Sequence, residues 1–386
     1  MSTDFDDPRL RQTWHRLSSD GVEVREDVEL APFTTLQCGG PARFMATARG
    51  GAALVALVRW ARGRQLPVLL LGGGSNMVVS DAGFDGLVVR MLPAVTQPVE
   101  HADGTIEVDA GLDWDEVVQW TVDRGWWGLE CLSGIPGRSG AAPVQNIGAY
   151  GAELAGAVQA VDVLDLQSLQ ERRLAGSELE FGYRTSALRT RWAGQLAVLR
   201  LHLKLSRVQV NPPAYDELVR ELQTVGTPLT PALVRQVVLA IRARKSMVLN
   251  ADDPNTRSVG SFFVNPVVSE ELAARVRAAV APAQPPAYVQ PDGQVKLAAA
   301  WLIEAAGFRR GHIEGAAGLS ERHALALINR GEATTAEVVR LAWRIHQAVR
   351  DQFGIRLMAE PVLAGRLPPE LERAAAMFEY QLPGGA

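Results

Sequence analysis

Three polar side chains in this 386-residue chain stand in apolar settings that could give them chemistry to do. Arg184 lies in "FGYRTSAL" among aromatic and apolar neighbours. A guanidinium there needs a partner, and its planar fork suits a ligand carboxylate or phosphate as well as a structural Asp or Glu. Glu360, in "IRLMAEPVLAG", shares one face of an expected strand with Met358 and Val362. Desolvated between them, its carboxyl would keep a proton to higher pH and could act as an acid. Placed at a strand end before Pro361, it could instead face water. Ser261, in "RSVGSFFVNPV", precedes two phenylalanines, with Asn265 just beyond them. A serine after glycine is a turn residue or a cap. No GxSxG elbow surrounds it and no His/Asp pair can be assigned to it, so proton donation is its natural role if it reacts. Lys245, one of only three lysines, ends "AIRARKS", where it could meet an anion or complement a helix end.

Two glycine-rich segments could hold a ligand. In "VLLLGGGSNMVVS" an apolar strand runs into Gly72, Gly73 and Gly74, then Ser75 and Asn76. Glycines let backbone N–H groups approach a phosphate, though the same residues also make a tight turn. The second segment, "CLSGIPGRSGAAPVQNIGAYGAEL", is long for a loop. It could wrap an extended ligand, with Gln145 and Asn146 reading a heterocycle edge, or be a self-packed Ω-loop. Neither segment fits the GxGxxG fingerprint or a Walker loop. Two such loops, each beside a strand, point to a diphosphate-containing ligand, most economically a dinucleotide.

The elements that must position these groups alternate early in the chain. "LPVLLLGGG", "DGLVVRM" and "GTIEVDAG" read as strands, and "GGAALVALVRWARGRQ" and "DWDEVVQWTVDRG" as helices. "VQAVDVLDL" and "QLAVLRLHLKL" are further strands, and Thr230 and Pro231 open a helix. Later, "TAEVVRLAWRIHQAVRDQFG" is a long helix with a capping box from Thr334 to Glu337. The fold class is α+β with at least two domains, and the tail after Gly365 reads as peripheral.

The net charge of -4, with Arg spread along the chain, argues against nucleic acid as partner. The two cysteines do not suggest a disulfide framework. The scattered histidines show no metal-ligand spacing, so no metal site is expected. No apolar run is long enough to insert in a membrane, and the polar start lacks a signal-peptide core, so a cytoplasmic protein is expected.

Taken in order, "LGGGSNMVVSDAGFDGLVV", "SGIPGRSGAAPVQNIGAYGAEL", "FGYRTS", "GSFFVNPVV", "KLAAAWLIEAAGF", "HALALINRG" and "EPVLAG" resemble the UDP-N-acetylenolpyruvoylglucosamine reductase family over roughly residues 33–365. The resemblance implies an FAD-binding PCMH-type (vanillyl-alcohol-oxidase-like) domain of two α/β subdomains, with a C-terminal α+β substrate-binding domain. The expected boundaries are 1–91 for the first FAD subdomain and 92–245 for the second, to which a last strand at 355–365 returns. The substrate domain spans 246–354, and 366–386 is the tail. "NPPAYDELVREL" looks like the insertion of the family's longer type, with Tyr215 as its tyrosine.

The resemblance further implies non-covalent FAD, NADPH as co-substrate and UDP-N-acetylglucosamine enolpyruvate as substrate, with a monomer expected. The FAD pyrophosphate would lie between Gly72, Gly73, Gly74, Ser75 and Asn76 on one side and the second glycine-rich segment on the other. That segment would contribute Ser133, Gly134, Ile135, Gly140, Ala141, Gln145, Asn146, Gly148, Ala149 and Gly151. Arg184 and Glu360 match the pair that stabilises charge on the substrate carboxylate, and Ser261 the proton donor. Tyr215, Lys245 and Asn265 match positions near the substrate's diphosphate and sugar. Val264 departs from the pattern, since many members have lysine there. The rival reading is another PCMH-type FAD oxidase or dehydrogenase of a small alcohol or sugar.

Overall fold

The computed structural model describes residues 23–382, except 210–212, 214, 226 and 227, together with a short strand at Trp14–Arg16. The start of the expected first subdomain, the head of the tyrosine insertion and residues 383–386 therefore lie largely outside the described residues.

The first sheet is mixed. Its order is Trp14–Arg16, Glu23–Glu29, Pro41–Arg49, Phe84–Leu92 and Val68–Leu71. The last two strands run parallel to Pro41–Arg49. The helix Gly50–Arg62 makes the crossover. Its buried Leu54, Leu57, Val58 and Ala61 recur at helical spacing and cover one sheet face. Leu69, Leu71, Val88 and Ala364 are buried on the other face. A sheet covered on both faces explains why "VLLL" carries no alternation.

The second sheet is antiparallel, in the order Glu171–Ala175, Val158–Asp165, Leu196–Lys204, Thr105–Asp109 and Val99–Glu100. The helix Trp114–Asp123 packs on it through Trp114, Val117, Val118 and Val122. Asp113 caps that helix, accepting from the N–H groups of Asp115 and Glu116. Thr230 likewise caps Pro231–Arg244 by accepting from Leu233 N–H.

A third core is built around Phe262, Phe263 and the helix Thr335–Phe353. That helix starts at the capping box of Thr334 and Glu337 and ends at Gly354, whose φ is +70°. After it the chain runs back to the first region and not, as expected, to the second. Val362–Ala364 pairs in parallel with Met77–Val79, directly beyond the first glycine loop, and with Gln381–Leu382.

The tail differs from its sequence reading. Residues 366–382 form a 3-10 helix at Pro369–Met377 and a short strand. Leu367, Leu371, Ala374, Met377 and Phe378 are buried in the third core, so the segment is not peripheral. The apolar residues are spaced along a helical turn, and their burial outweighs the polar composition around them.

Candidate active site

Glu360 lies where four separate segments meet. Its N–H donates to the carbonyl of Phe262 at 2.8 Å, and Val264 N–H donates to Met358 at 3.0 Å. The "GSFFVN" and "LMAEP" segments therefore run side by side, with Phe263 and Ala359 bridged antiparallel. On the other side, Val362 N–H reaches Asn76 O at 3.0 Å, while Ala359 N–H reaches Met377 O at 2.8 Å. The regular strand begins only at Val362, yet the alternation holds: 357, 359, 361 and 363 are buried, and Met358, Glu360 and Val362 are half-buried.

The phenylalanines answer for the placement of Ser261. Phe262 and Phe263 are fully buried, their rings 5.1 Å apart, and Phe262 also meets Phe378 edge-on at 5.9 Å. Two anchored rings fix the half-buried serine immediately before them. Asn265 accepts from the N–H of Ala299, at the start of the helix Ala299–Ala305, at 2.9 Å. Its carbonyl oxygen thus has a structural duty that the sequence did not suggest.

Arg184 is held in the left-handed region (φ +55°) in the tight turn bridging Gly182 and Thr185. Its Nη2 donates to Gly148 O at 2.7 Å, and its Nε stands 3.5 Å from Glu360 Oε1. The two side chains keep 22% and 14% of their surface accessible, so the pair is mostly dry but open to a ligand. Burial pushes the Glu360 carboxyl above the ordinary glutamate range, against the pull of Arg184 and Arg189. A guanidinium and a carboxyl whose pKa is raised by burial are thereby brought together, beside the segment that carries Ser261.

The first glycine loop forms a cradle. A Cβ on Gly73 would lie 2.7 Å from Gly137 Cα, and one on Gly74 (φ +65°) would lie 2.0 Å from Phe33 O. Only glycine permits these approaches. The two loops touch: Ser75 Oγ donates to Pro136 O at 2.8 Å, and Asn76 Nδ2 donates to Gln145 Oε1. The N–H groups of Gly73, Gly74, Ser75 and Asn76 bond to no acceptor among the described residues. Four successive free donors are the requirement of a phosphate nest. Arg90, in register with Leu71, and Arg138, beside Gly72, flank it. Neither makes an ion pair among the described residues, and burial and then Arg138 hold the Arg90 guanidinium below its usual range. The residues present fit the diphosphate of a dinucleotide.

The second loop is more self-contained than expected. Gly134 N–H is taken by Asp115 Oδ1 at 2.6 Å, Gly140 N–H by Ala110 O at 2.8 Å, and Ala141 N–H by Arg138 O at 3.0 Å. Ser133 is fully buried and donates to Glu130 O at 2.6 Å. Asn146 is fully buried too: its NH2 donates to Glu153 and Gly182, and its oxygen accepts from Ala155 N–H. It ties the loop together and cannot present an edge to a heterocycle, a correction to the sequence expectation. Ile135 packs against the second core, and Gly148 and Ala149 pair with Glu153 and Ala152 in a hairpin closed by Gly151.

Tyr215 meets Tyr150 edge-on at 5.5 Å, at the head of the helix Asp216–Val225. Lys245 Nζ is bonded to Glu217 of that helix, so it is neither a bare anion site nor an idle helix end. Arg242, one turn before Lys245, donates to Gly134 O at 3.2 Å and Met247 O at 2.8 Å, while its Nε has no partner. His323 titrates near pH 4, lowered by burial and then by Lys245, Arg242 and Arg310. These cations cluster on one flank of the site.

Residues 252–364 match the family described as UDP-N-acetylenolpyruvoylglucosamine reductase, C-terminal domain, and residues 42–168 match an FAD binding domain. A UDP-N-acetylenolpyruvoylglucosamine reductase of Nocardia farcinica (strain IFM 10152) is 48% identical over 357 residues, covering 90% of this chain and 92% of the relative. This chain belongs to the UDP-N-acetylenolpyruvoylglucosamine reductase family. A reductase of the same name from Thermobifida fusca (strain YX) is 43% identical over 88% of this chain and 97% of its own. The crystal structure of the UDP-N-acetylenolpyruvylglucosamine reductase of Thermus caldophilus superposes with a TM-score of 0.60 at 26% identity, covering 88% of this chain and 98% of that one.

The FAD-binding match holds both glycine loops and the reductase C-terminal match holds Ser261, Asn265 and Glu360, whereas Arg184 falls between them. Sequence reading missed several groups at the site. Arg189, five residues after Arg184, donates to the Glu360 carbonyl at 2.8 Å. Tyr183 lies under Lys296 Nζ at 4.6 Å, and Asn265 is close enough to lower its hydroxyl pKa against the larger effect of burial. Arg90 and Arg138 were visible only as arginines. Spacing along the chain signals Arg242, since one helical turn separates it from Lys245. Nothing local signals the others.

Proposed function

We propose that this protein reduces UDP-N-acetylglucosamine enolpyruvate to UDP-N-acetylmuramate with NADPH, through bound FAD, in peptidoglycan precursor biosynthesis. It would act in the cytoplasm as a monomer, and among the described residues no helix is long and apolar enough to cross a membrane. The observation that carries the reading is the convergence of Arg184, Glu360 and the segment bearing Ser261 beside a glycine nest.

The free N–H groups of Gly73 to Asn76, flanked by Arg90 and Arg138, would hold the FAD diphosphate non-covalently. FAD, when bound, supplies two-electron transfer from NADPH to the substrate's carbon–carbon double bond. Arg184 binds the enolpyruvyl carboxylate with the donors left over from Gly148 and stabilises the negative charge that builds there. Glu360, favoured in its protonated form by burial, adds a hydrogen bond to that charge without repelling it. Ser261 Oγ–H gives its proton to the carbanion-like carbon next to the carboxylate, completing the lactyl ether. A serine is a weak acid, but the acceptor is strongly basic and the site is mostly dry. Lys245, Tyr215 and the NH2 of Asn265 serve the diphosphate and sugar; for Lys245 this means leaving Glu217.

The test is direct. Purified protein should be yellow and should oxidise NADPH beyond one equivalent per flavin only when the enolpyruvyl sugar nucleotide is present. A colourless protein that fails to take up FAD, or a yellow one indifferent to this substrate, would sink the reading.

A further inference from the structure

Arg189 is 4% exposed and makes no ion pair among the described residues, an expensive way to keep a charge. Its Nη2 donates to Glu360 O at 2.8 Å and its Nη1 to Gln145 Oε1 at 3.3 Å. The same Gln145 oxygen accepts from Asn76 Nδ2, which also reaches Glu360 O at 3.4 Å. Glu360 is thus gripped by its main chain, with the N–H on Phe262 and the C=O on Arg189 and Asn76. A neutral amide could satisfy one of these acceptors. Only a rigid fork spans two acceptors on separate segments while adding a positive charge behind the carboxyl.

We propose that Arg189 is the positioning residue for Glu360, joining the carboxyl-bearing segment to Asn76 and Gln145 of the two glycine loops so that acid and cofactor cradle move as one unit. The inference rests on the functional reading above for its kinetic consequence, but not for its electrostatic one. The groups facing the Glu360 carboxyl are Arg184, Arg189 and Tyr183; Glu379 and Tyr380 face Arg189 from the C-terminal segment.

The experiment uses the FAD-loaded full chain and two variants, Arg189→Met and Arg189→Lys. Glu360 titration is followed by 13C NMR of glutamate-labelled protein, assigned with Glu360→Gln, beside turnover of the enolpyruvyl substrate and NADPH-driven bleaching of the flavin. R189M should move the Glu360 midpoint to higher pH, because a charge that favours the ionised carboxyl is gone. It should lower turnover about 10-fold or more, as misplacement of a catalytic group does, while bleaching stays close to wild type. R189K should restore the midpoint but not the full rate, since it keeps the charge and loses the fork. An R189M midpoint unchanged from wild type overturns the proposal, as does equal loss in turnover and bleaching. If R189M does not fold, R189K decides: reduced turnover with a wild-type midpoint supports the proposal, and unchanged turnover overturns it. A wild-type protein with no turnover but a shifted R189M midpoint supports the positioning while refuting the functional reading.

Discussion

The N–H of Glu360 donates to the carbonyl oxygen of Phe262 at 2.8 Å, and this one bond sets Glu360 beside the segment that bears Ser261. The two residues come from distant parts of the chain. Their side-by-side course, braced by the bond from Val264 to Met358, sets the segment that carries the acid against the one that carries the hydroxyl.

The first prediction concerns the hydroxyl. Ser261→Ala should lower turnover of the enolpyruvyl substrate by about 10²–10⁴-fold, the range for loss of a proton-transfer group. Flavin bleaching by NADPH should survive. Stopped-flow absorbance separates the two, and parallel loss of both contradicts a proton-donor role.

A second prediction is the pH dependence of Glu360. Its folded pKa is raised by burial, so its contribution to stability is fully present below the unfolded value and is lost as pH rises through the folded one. Activity should fall over the same rise if the protonated form is the working one. Glu360→Gln, which cannot ionise, should flatten that alkaline limb and be more stable than wild type at high pH. A limb that persists in E360Q assigns it to another group.

The arginines flanking the glycine nest give a third. Charge-assisted bonds to a phosphate contribute about 1.5–3 kcal/mol, so Arg90→Met or Arg138→Met should weaken FAD binding by about 10- to 100-fold. Riboflavin, which has no phosphate, should bind equally to wild type and variants. The apo variants should melt higher than apo wild type, because two neighbouring guanidiniums without carboxylate partners repel each other. Fluorescence titration and thermal melts of the apo-protein check both, and an unchanged FAD affinity removes these residues from the site.

The C-terminal segment supplies a fourth. Phe378 is 2% exposed and packs on Phe262. Phe378→Ala should cost about 3–5 kcal/mol, as buried aromatic truncations do, measured by urea unfolding. Turnover should fall with it, since Ala359 is bridged to Phe378 beside Glu360. A loss under 1 kcal/mol, the scale of an exposed site, would restore the picture of a peripheral tail.

Much of the local structure was legible in the sequence. The caps at Asp113, Thr230 and Thr334, the helical apolar spacing of Gly50–Arg62 and the alternation around Glu360 each depend on residues a few positions apart. The glycine cradle at Gly73 and Gly74 was legible for the same reason, because missing side chains mark where the chain must pass close to something. Other features had no local signal. Asn146 and Gly134 looked like ligand donors, but Glu153, Gly182 and Asp115 take their N–H groups. The tail looked polar and proved to complete a core.

The sequence by itself determined the family, the glycine cradle and the polar groups available for chemistry, because composition, spacing and capping are short-range properties. The tertiary structure alone decided which of those groups remain free. A hydrogen-bond donor is available to a ligand only if no distant segment has already taken it, and that is settled by long-range strand pairing and burial.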